Sequence, residues 1–234
     1  MISLINLLKN NWFFYRMSFV ILAIMMLFLF VFSRVDGFII LNLFHTQSLL
    51  LFFNAITFLG DGIFTIITSL ILFVFLKKHR TLAFLLIVAY LFSGLFAQII
   101  KVLIHAPRPI VYFQLTHFKY HLDTLSNSRI GFNSFPSGHS TSAFAMITIF
   151  SIYCNRKYVS CMSLTLGILV GYSRVYLAHH FLIDVFAGAV LGLIFGSLSY
   201  LWFNSYGIKI SDMFILKSHN KTKTRASNNP SLQN

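Results

Sequence analysis

The sequence predicts an all-α fold: a six-span transmembrane helical bundle with an interfacial helix after the first span. Three observations carry this. The 234 residues are 57% hydrophobic and only 10% charged, whereas a soluble domain carries about 25% charged residues. The apolar residues fall in runs close to the roughly 20 residues a helix needs to cross a bilayer. Lys and Arg gather at the ends of those runs, the distribution expected of membrane-protein flanks.

The first span, residues 17–35, follows Lys9 and Arg16. What comes after it is Ser33-Arg34-Val35-Asp36, without the small-residue pattern of a signal-peptide cleavage site, so it reads as a retained span. Residues 38–58 are apolar but carry Asn42, His45, Thr46, Gln47, Ser48, Asn54 and Thr57. Those groups are costly in hydrocarbon without partners, and the stretch reads as an interfacial helix or a re-entrant segment. The remaining spans are expected at 58–76, 82–104, 137–153, 159–177 and 181–203. Residues 1–210 thus form one integral-membrane domain. Residues 211–234 are basic and polar, ending in Ser, Asn, Pro and Gln, and read as a disordered cytoplasmic tail.

Charge placement orients the bundle. With six spans and an inner N-terminus, the inner side holds Lys9, Arg16, Lys77, Lys78, Arg80, Arg156, Lys157, Lys209, Lys217, Lys221, Lys223 and Arg225. The outer side holds Arg34, Lys101, Arg108, Lys119, Arg129 and Arg174. That imbalance satisfies the positive-inside rule. A seventh span within 38–58 would put the turns at Lys77 to Arg80 and Arg156-Lys157 outside, which rejects it. The net charge of +13 does not signal a nucleic-acid partner, because no polar face collects it. Cys154 and Cys161 fall near an expected cytoplasmic turn, where disulfides are rare; they read as buried small apolar residues. The outer loop, about 105–135, carries Tyr112, Phe113, Phe118, Tyr120 and Phe132, aromatics suited to resting on the bilayer over a site.

Three polar clusters stand out, each at the edge of an apolar run, and the topology puts all of them on the outer face. They are Lys101 with Arg108-Pro109; Pro136-Ser137-Gly138-His139; and Ser173-Arg174 followed by His180 and Asp184. Together they offer cations, imidazoles and a carboxylate, an inventory suited to attack on a phosphate ester, and the apolar setting points to a lipid. Arg108 lies between Pro107 and Pro109, whose rings restrict its backbone. Ser137 is a good helix N-cap, and the N–H groups after it are unpaired within the helix, which makes an anion site. Gly138 permits close approach to the backbone. His180 and Asp184 are spaced i, i+4 and would share one helix face. An Asp on one imidazole nitrogen fixes the tautomer and frees the other as a nucleophile. His179 would point elsewhere. Singly, each cluster has a plain structural reading: a snorkelling lysine, a cap and turn, a buried ion pair. His45, His79, His105, His117, His121 and His219 are read as structural.

Taken together and in this order, the clusters resemble the type 2 phosphatidic acid phosphatase family, relatives of bacterial acid phosphatases and vanadium haloperoxidases. Its signature, Lys-x6-Arg-Pro, then Pro-Ser-Gly-His, then Ser-Arg-x5-His-x3-Asp, is matched by KVLIHAPRP at 101–109, PSGH at 136–139 and SRVYLAHHFLID at 173–184. No signature position departs. The resemblance implies that His180 attacks phosphorus to give a phosphohistidine and that Asp184 orients it. His139 would protonate the leaving alkoxide and then activate water. Lys101, Arg108, Ser137, Gly138 and Arg174 would bind the phosphoryl oxygens. It implies neither a cofactor nor a metal. Partners would be a lipid phosphate substrate and membrane lipids, and no nucleic acid. The substrate classes to expect are phosphatidic acid, phosphatidylglycerophosphate, undecaprenyl diphosphate or a lipid A phosphate. The layout suits a bacterial inner membrane, with the site facing the periplasm or exterior and both termini cytoplasmic. Two alternatives stay open: a phosphotransferase passing the phosphoryl group to another envelope lipid, and a non-catalytic lipid-binding or transport protein.

Overall fold

The computed structural model describes residues 3–118 and 130–227, the stretch 207–227 as backbone only. Among these residues every regular element is helical. In chain order they are α1 (Leu4–Asn10), α2 (Trp12–Val31), α3 (Arg34–Leu41), α4 (Gln47–Thr57), a 3-10 turn (Phe58–Gly60), α5 (Gly62–Phe75) and a second 3-10 turn (Lys77–His79). Then come α6 (Arg80–Ile104), α7 (Pro109–Leu115), α8 (Gly138–Cys154), α9 (Lys157–Tyr176) and α10 (Leu182–Ser227).

Helix α8 is the centre of the bundle, packed against α6, α9 and α10. Its core positions include Ser140, Thr141, Ser142, Thr148 and Ser151, all buried. Burying hydroxyls is costly unless they find partners, and Ser151 Oγ is one that finds none among the described residues. Several turn back onto their own helix: Thr141 Oγ1 donates to the Ser137 carbonyl at 2.9 Å, and Thr148 Oγ1 to that of Phe144 at 2.6 Å. Small residues let α10 close on it. A Cβ at Gly188 would lie 2.6 Å from the Ser137 carbonyl oxygen, and one at Gly192 would lie 2.6 Å from that of Thr141. These are backbone atoms that cannot step aside, so the two helices touch backbone to backbone. Gly192→Val is therefore expected to destabilise the protein by about 1–3 kcal/mol or more, read as a lowered thermal midpoint in detergent. An unchanged midpoint would show that the α8–α10 contact yields.

Among the described residues, four helical stretches are long and apolar enough to span a membrane: Trp12–Val31, Lys77–Leu115, Lys157–Tyr176 and Leu182–Tyr206. A fifth arises if Gln47–Gly60 and Gly62–Phe75, bent by 57° at their junction, count as one span. The chain is thus an integral membrane protein whose described residues are all-α, with four or five candidate spans among them on length and hydropathy, where six were expected. Helix α8 occupies the place of the expected span at 137–153, but it has 17 residues and its apolar run is broken by the Ser and Thr just named.

Other expectations change in detail. Residues 38–58, expected as an interfacial helix or a re-entrant segment, are shared by α3 and α4, and α4 packs against α9 before leading through the 3-10 turn into α5, a bent pair with the shape of a broken span or a re-entrant loop. Cys154 and Cys161 are free thiols, but they are exposed on the outside of the bundle rather than buried. Phe113 is buried, and with Tyr112 it packs on Phe181, so these two loop aromatics belong to the protein core and not to the bilayer surface. Tyr120 lies outside the described residues. The backbone of α10 continues to Ser227, into the stretch read as tail, and residues 228–234 lie outside the description.

Candidate active site

The site grows from three helix ends. The C-terminal end of α6 carries Lys101, and His105 in a left-handed conformation closes that helix. The chain then runs extended to Arg108, which caps α7 with Pro109 in its first turn. Hydrogen bonds from the Arg108 N–H to the Gly131 carbonyl and from the Ser134 N–H to the Ala106 carbonyl tie the two ends of the long loop together. Arg108 is buried, and its Nη1 donates to the carbonyl of His179 at 3.2 Å. The first and third motifs are thereby joined.

The second motif opens α8. Ser137 is its N-cap, with Oγ accepting from the Ser140 N–H at 3.3 Å. The Ser137 N–H donates to the Asp184 carbonyl at 2.9 Å, which fastens this end of α8 to the start of α10. A Cβ at Gly138 would lie 3.8 Å from Lys101 Nζ. A lysine ammonium and a helix N-terminus therefore share one small space, which favours an anion.

The third motif supplies the histidine and carboxylate. His180 does not lie on a helix with Asp184, as the i, i+4 spacing suggested. It sits in the turn before α10, where the His179 and His180 N–H groups both donate to the Arg174 carbonyl. Asp184 lies in the first turn of α10, and its Oδ2 reaches back to the Phe181 N–H at 3.0 Å, a capping interaction. That return places Oδ2 3.4 Å from His180 Nδ1. Ser134 completes the arrangement: its hydroxyl donates to Asp184 Oδ2 at 2.5 Å, and its Oγ lies 3.2 Å from His180 Nδ1. With its one hydrogen on Asp184, Ser134 accepts from Nδ1–H, which leaves the Nε2 lone pair of His180 uncommitted in this network. Burial pushes the His180 pKa well below the ordinary histidine value, and the nearby charges of Arg174, Arg108 and Lys101 push it further down.

Arg174 is almost completely buried, and its Nη1 donates to Thr57 Oγ1 at the end of α4. His139 Nε2 stands 3.8 Å from Asp61 Oδ2. The structure thus brings Lys101, Arg108, Ser137, Gly138, His139, Arg174, His180 and Asp184 to one end of the bundle. His45 stacks on Tyr176 and His105 on Phe132, in packing roles; His121 and the side chain of His219 lie outside the description. Sequence reasoning missed Thr57, Asp61, Ser134 and Arg34. Arg34 places its guanidinium 5.2 Å from the Phe181 ring, beside the turn that carries His180. Thr57 and Arg34 are distant in sequence from any motif. Ser134, two residues before Pro136, was the one with a local signal.

A family model described as the PAP2 superfamily matches residues 82–207, more than half of the chain. The chain is 30% identical over 169 residues to the lipid A 1-phosphatase of Rhizobium johnstonii, covering 65% of this chain and 67% of that one. It is 35% identical over 89 residues to the undecaprenyl-diphosphatase BcrC of Bacillus subtilis, covering 38% of this chain and 45% of the relative. It thus spans less than half the length of that protein, and 46% of a relative from Arabidopsis thaliana. Among solved structures it is similar to Aquifex aeolicus LpxE, with a TM-score of 0.61 at 27% identity, covering 71% of this chain and 93% of that one. All three motifs and their converging side chains fall inside the matched region, and the chain belongs to the PAP2 superfamily.

Proposed function

We propose that this protein is a lipid phosphatase that hydrolyses phosphate monoesters or diphosphates at the extracytoplasmic face of a bacterial inner membrane, through a phosphohistidine on His180. The observation that carries this reading is the His180–Ser134–Asp184 network, set against a helix N-terminus and three cationic side chains. In the proposed reaction His180 Nε2 attacks phosphorus and the bond to the leaving oxygen breaks, with His139 giving that oxygen a proton. Water then attacks the phosphohistidine, His139 takes the proton back, and inorganic phosphate leaves. Lys101, Arg108, Arg174, the Ser137 hydroxyl and the Gly138 N–H hold the phosphoryl oxygens as charge redistributes, which is the main demand of phosphoryl transfer. No step calls for a metal or cofactor.

A small recess, roomy enough for little more than a water molecule, lies between the end of α2, α3 and the start of α10, lined by Phe28, Phe32, Arg34, Phe38 and Phe181 among others. It reaches the residue next to His180. The names of the relatives point to lipid A phosphates and undecaprenyl diphosphate as first candidates. In this reading the bent α4–α5 pair and α8 both cross the membrane, giving six spans with the termini inside.

The test is phosphate release by purified protein from phosphatidic acid, phosphatidylglycerophosphate, undecaprenyl diphosphate and lipid A phosphate in detergent micelles. Free inorganic phosphate supports hydrolysis. A phosphorylated second lipid identifies a transferase, and no reaction with any of them identifies a binding protein. Vanadate is expected to inhibit, and a metal chelator to leave the rate unchanged.

The pH profile follows from His180. Attack needs the neutral imidazole, and its pKa lies well below 6.5 in the folded protein. As pH falls through 6.5 the nucleophile therefore stays unprotonated, and kcat/KM is expected to drop only below that value. An acid limb at or above 6.5 would contradict the assignment.

A further inference from the structure

We infer that Asp61 is the positioning residue of the general acid: it forms with His139 a second histidine–carboxylate pair, opposite in purpose to that of His180 and Asp184. The inference rests on the phosphatase reading above.

The geometry begins with the backbone. Asp61 is the N-cap of α5, and its Oδ1 accepts from the Ile63 N–H at 3.0 Å. With one carboxylate oxygen anchored, the other, Oδ2, stands 3.8 Å from His139 Nε2. The turn that carries it is packed hard onto the first turn of α8. Ser142 Oγ donates to the Gly60 carbonyl at 2.8 Å. A Cβ at Gly60 would lie 2.9 Å from the His139 carbonyl oxygen and 2.5 Å from Val170 Cγ1. Glycine is what allows this approach. The carboxylate is therefore held beside His139 by contacts on both of its flanks.

The chemistry explains why a carboxylate belongs there. A general acid must hold a proton when the leaving oxygen departs. The charged groups at this end of the bundle are Lys101 of α6, beside the Gly138 that precedes His139, with Arg108 ahead of α7 and Arg174 of α9, all three acting on His180, and the His180–Asp184 pair at the start of α10. The cations favour loss of a proton from any imidazole near them. They suit the neutral nucleophile His180 and oppose a protonated His139. Asp61 sets a carboxylate against His139, while Asp184, held by Ser134 and the Phe181 N–H, orients His180. At 33% exposure Asp61 also keeps contact with water.

Asp61→Asn and Asp61→Ser both keep an N-cap acceptor and remove the charge. The readout compares a lipid phosphate, whose alkoxide leaving group needs protonation, with p-nitrophenyl phosphate, whose leaving group does not. For the lipid, kcat is expected to fall about 10- to 100-fold, within the range of general acid catalysis. The basic limb of its pH profile is expected to move to lower pH, and Asp61→Glu to restore part of that shift. The aryl ester is expected to lose less than about 3-fold, since its leaving group needs little acid assistance. Equal losses on both substrates with an unmoved basic limb, or unchanged kinetics in both variants, would overturn the role of Asp61 while leaving the phosphatase reading intact. A parent protein that hydrolyses neither ester would overturn both.

Discussion

Replacing His180 with alanine is expected to abolish phosphate release, by on the order of 10⁴-fold or more, the scale seen when a covalent nucleophile is removed. The fold should survive. His180 is buried, yet the groups around it keep their partners without it: Asp184 Oδ2 retains the Ser134 hydroxyl and the Phe181 N–H. No charge is stranded, and the loss of stability should be that of an ordinary buried substitution, about 1–3 kcal/mol. The pairing of measurements matters. A folded variant without activity assigns chemistry to the side chain, whereas a folded variant with undiminished release removes His180 from the reaction.

Asp184→Asn is expected to cost nearly as much, roughly 10²- to 10⁴-fold in kcat, because orientation and tautomer are lost together. Asp184 Oδ2 accepts from both Ser134 and the Phe181 N–H and stands 3.4 Å from His180 Nδ1. An amide nitrogen in that place would face donors with a donor. An amide oxygen there would keep the contacts but lose the charge that stabilises a positive phosphohistidine. Ser134→Ala removes only the bridge and should cost about tenfold, the scale of one hydrogen bond. A kcat for Asp184→Asn within threefold of the parent's would show that the turn before α10 orients His180 without help from the carboxylate.

Much of this site was legible because its chemistry is local in sequence. Ser137 and Gly138 mark a helix N-terminus by residue type alone. The Lys101 and Arg108 motif and the Arg174 to Asp184 motif announce themselves as rare charges beside apolar runs. The reason His180 and Asp184 meet was misjudged: spacing suggested one helix face, and the contact comes instead from Asp184 capping its own helix across Phe181. The places of Asp61 and Thr57 in the site were not legible because each meets its partner, His139 or Arg174, across a long sequence separation, through a bent segment whose packing no local pattern reports. The span count turns on the opposite problem. Helix α8 is polar because it is central, and a helix that buries its hydroxyls in protein need not look like one facing lipid.

The central claim is a phosphoryl group carried on His180. It is tested most directly by mixing enzyme with a lipid phosphate, quenching in alkali within a turnover, and mapping the phosphorylated peptide by mass spectrometry. The account predicts an alkali-stable, acid-labile phosphoryl group on His180, absent from His180→Ala. Phosphorylation of His139 or of any hydroxyl instead, or turnover with no phosphorylated peptide in a slowed variant such as His139→Ala, would contradict it.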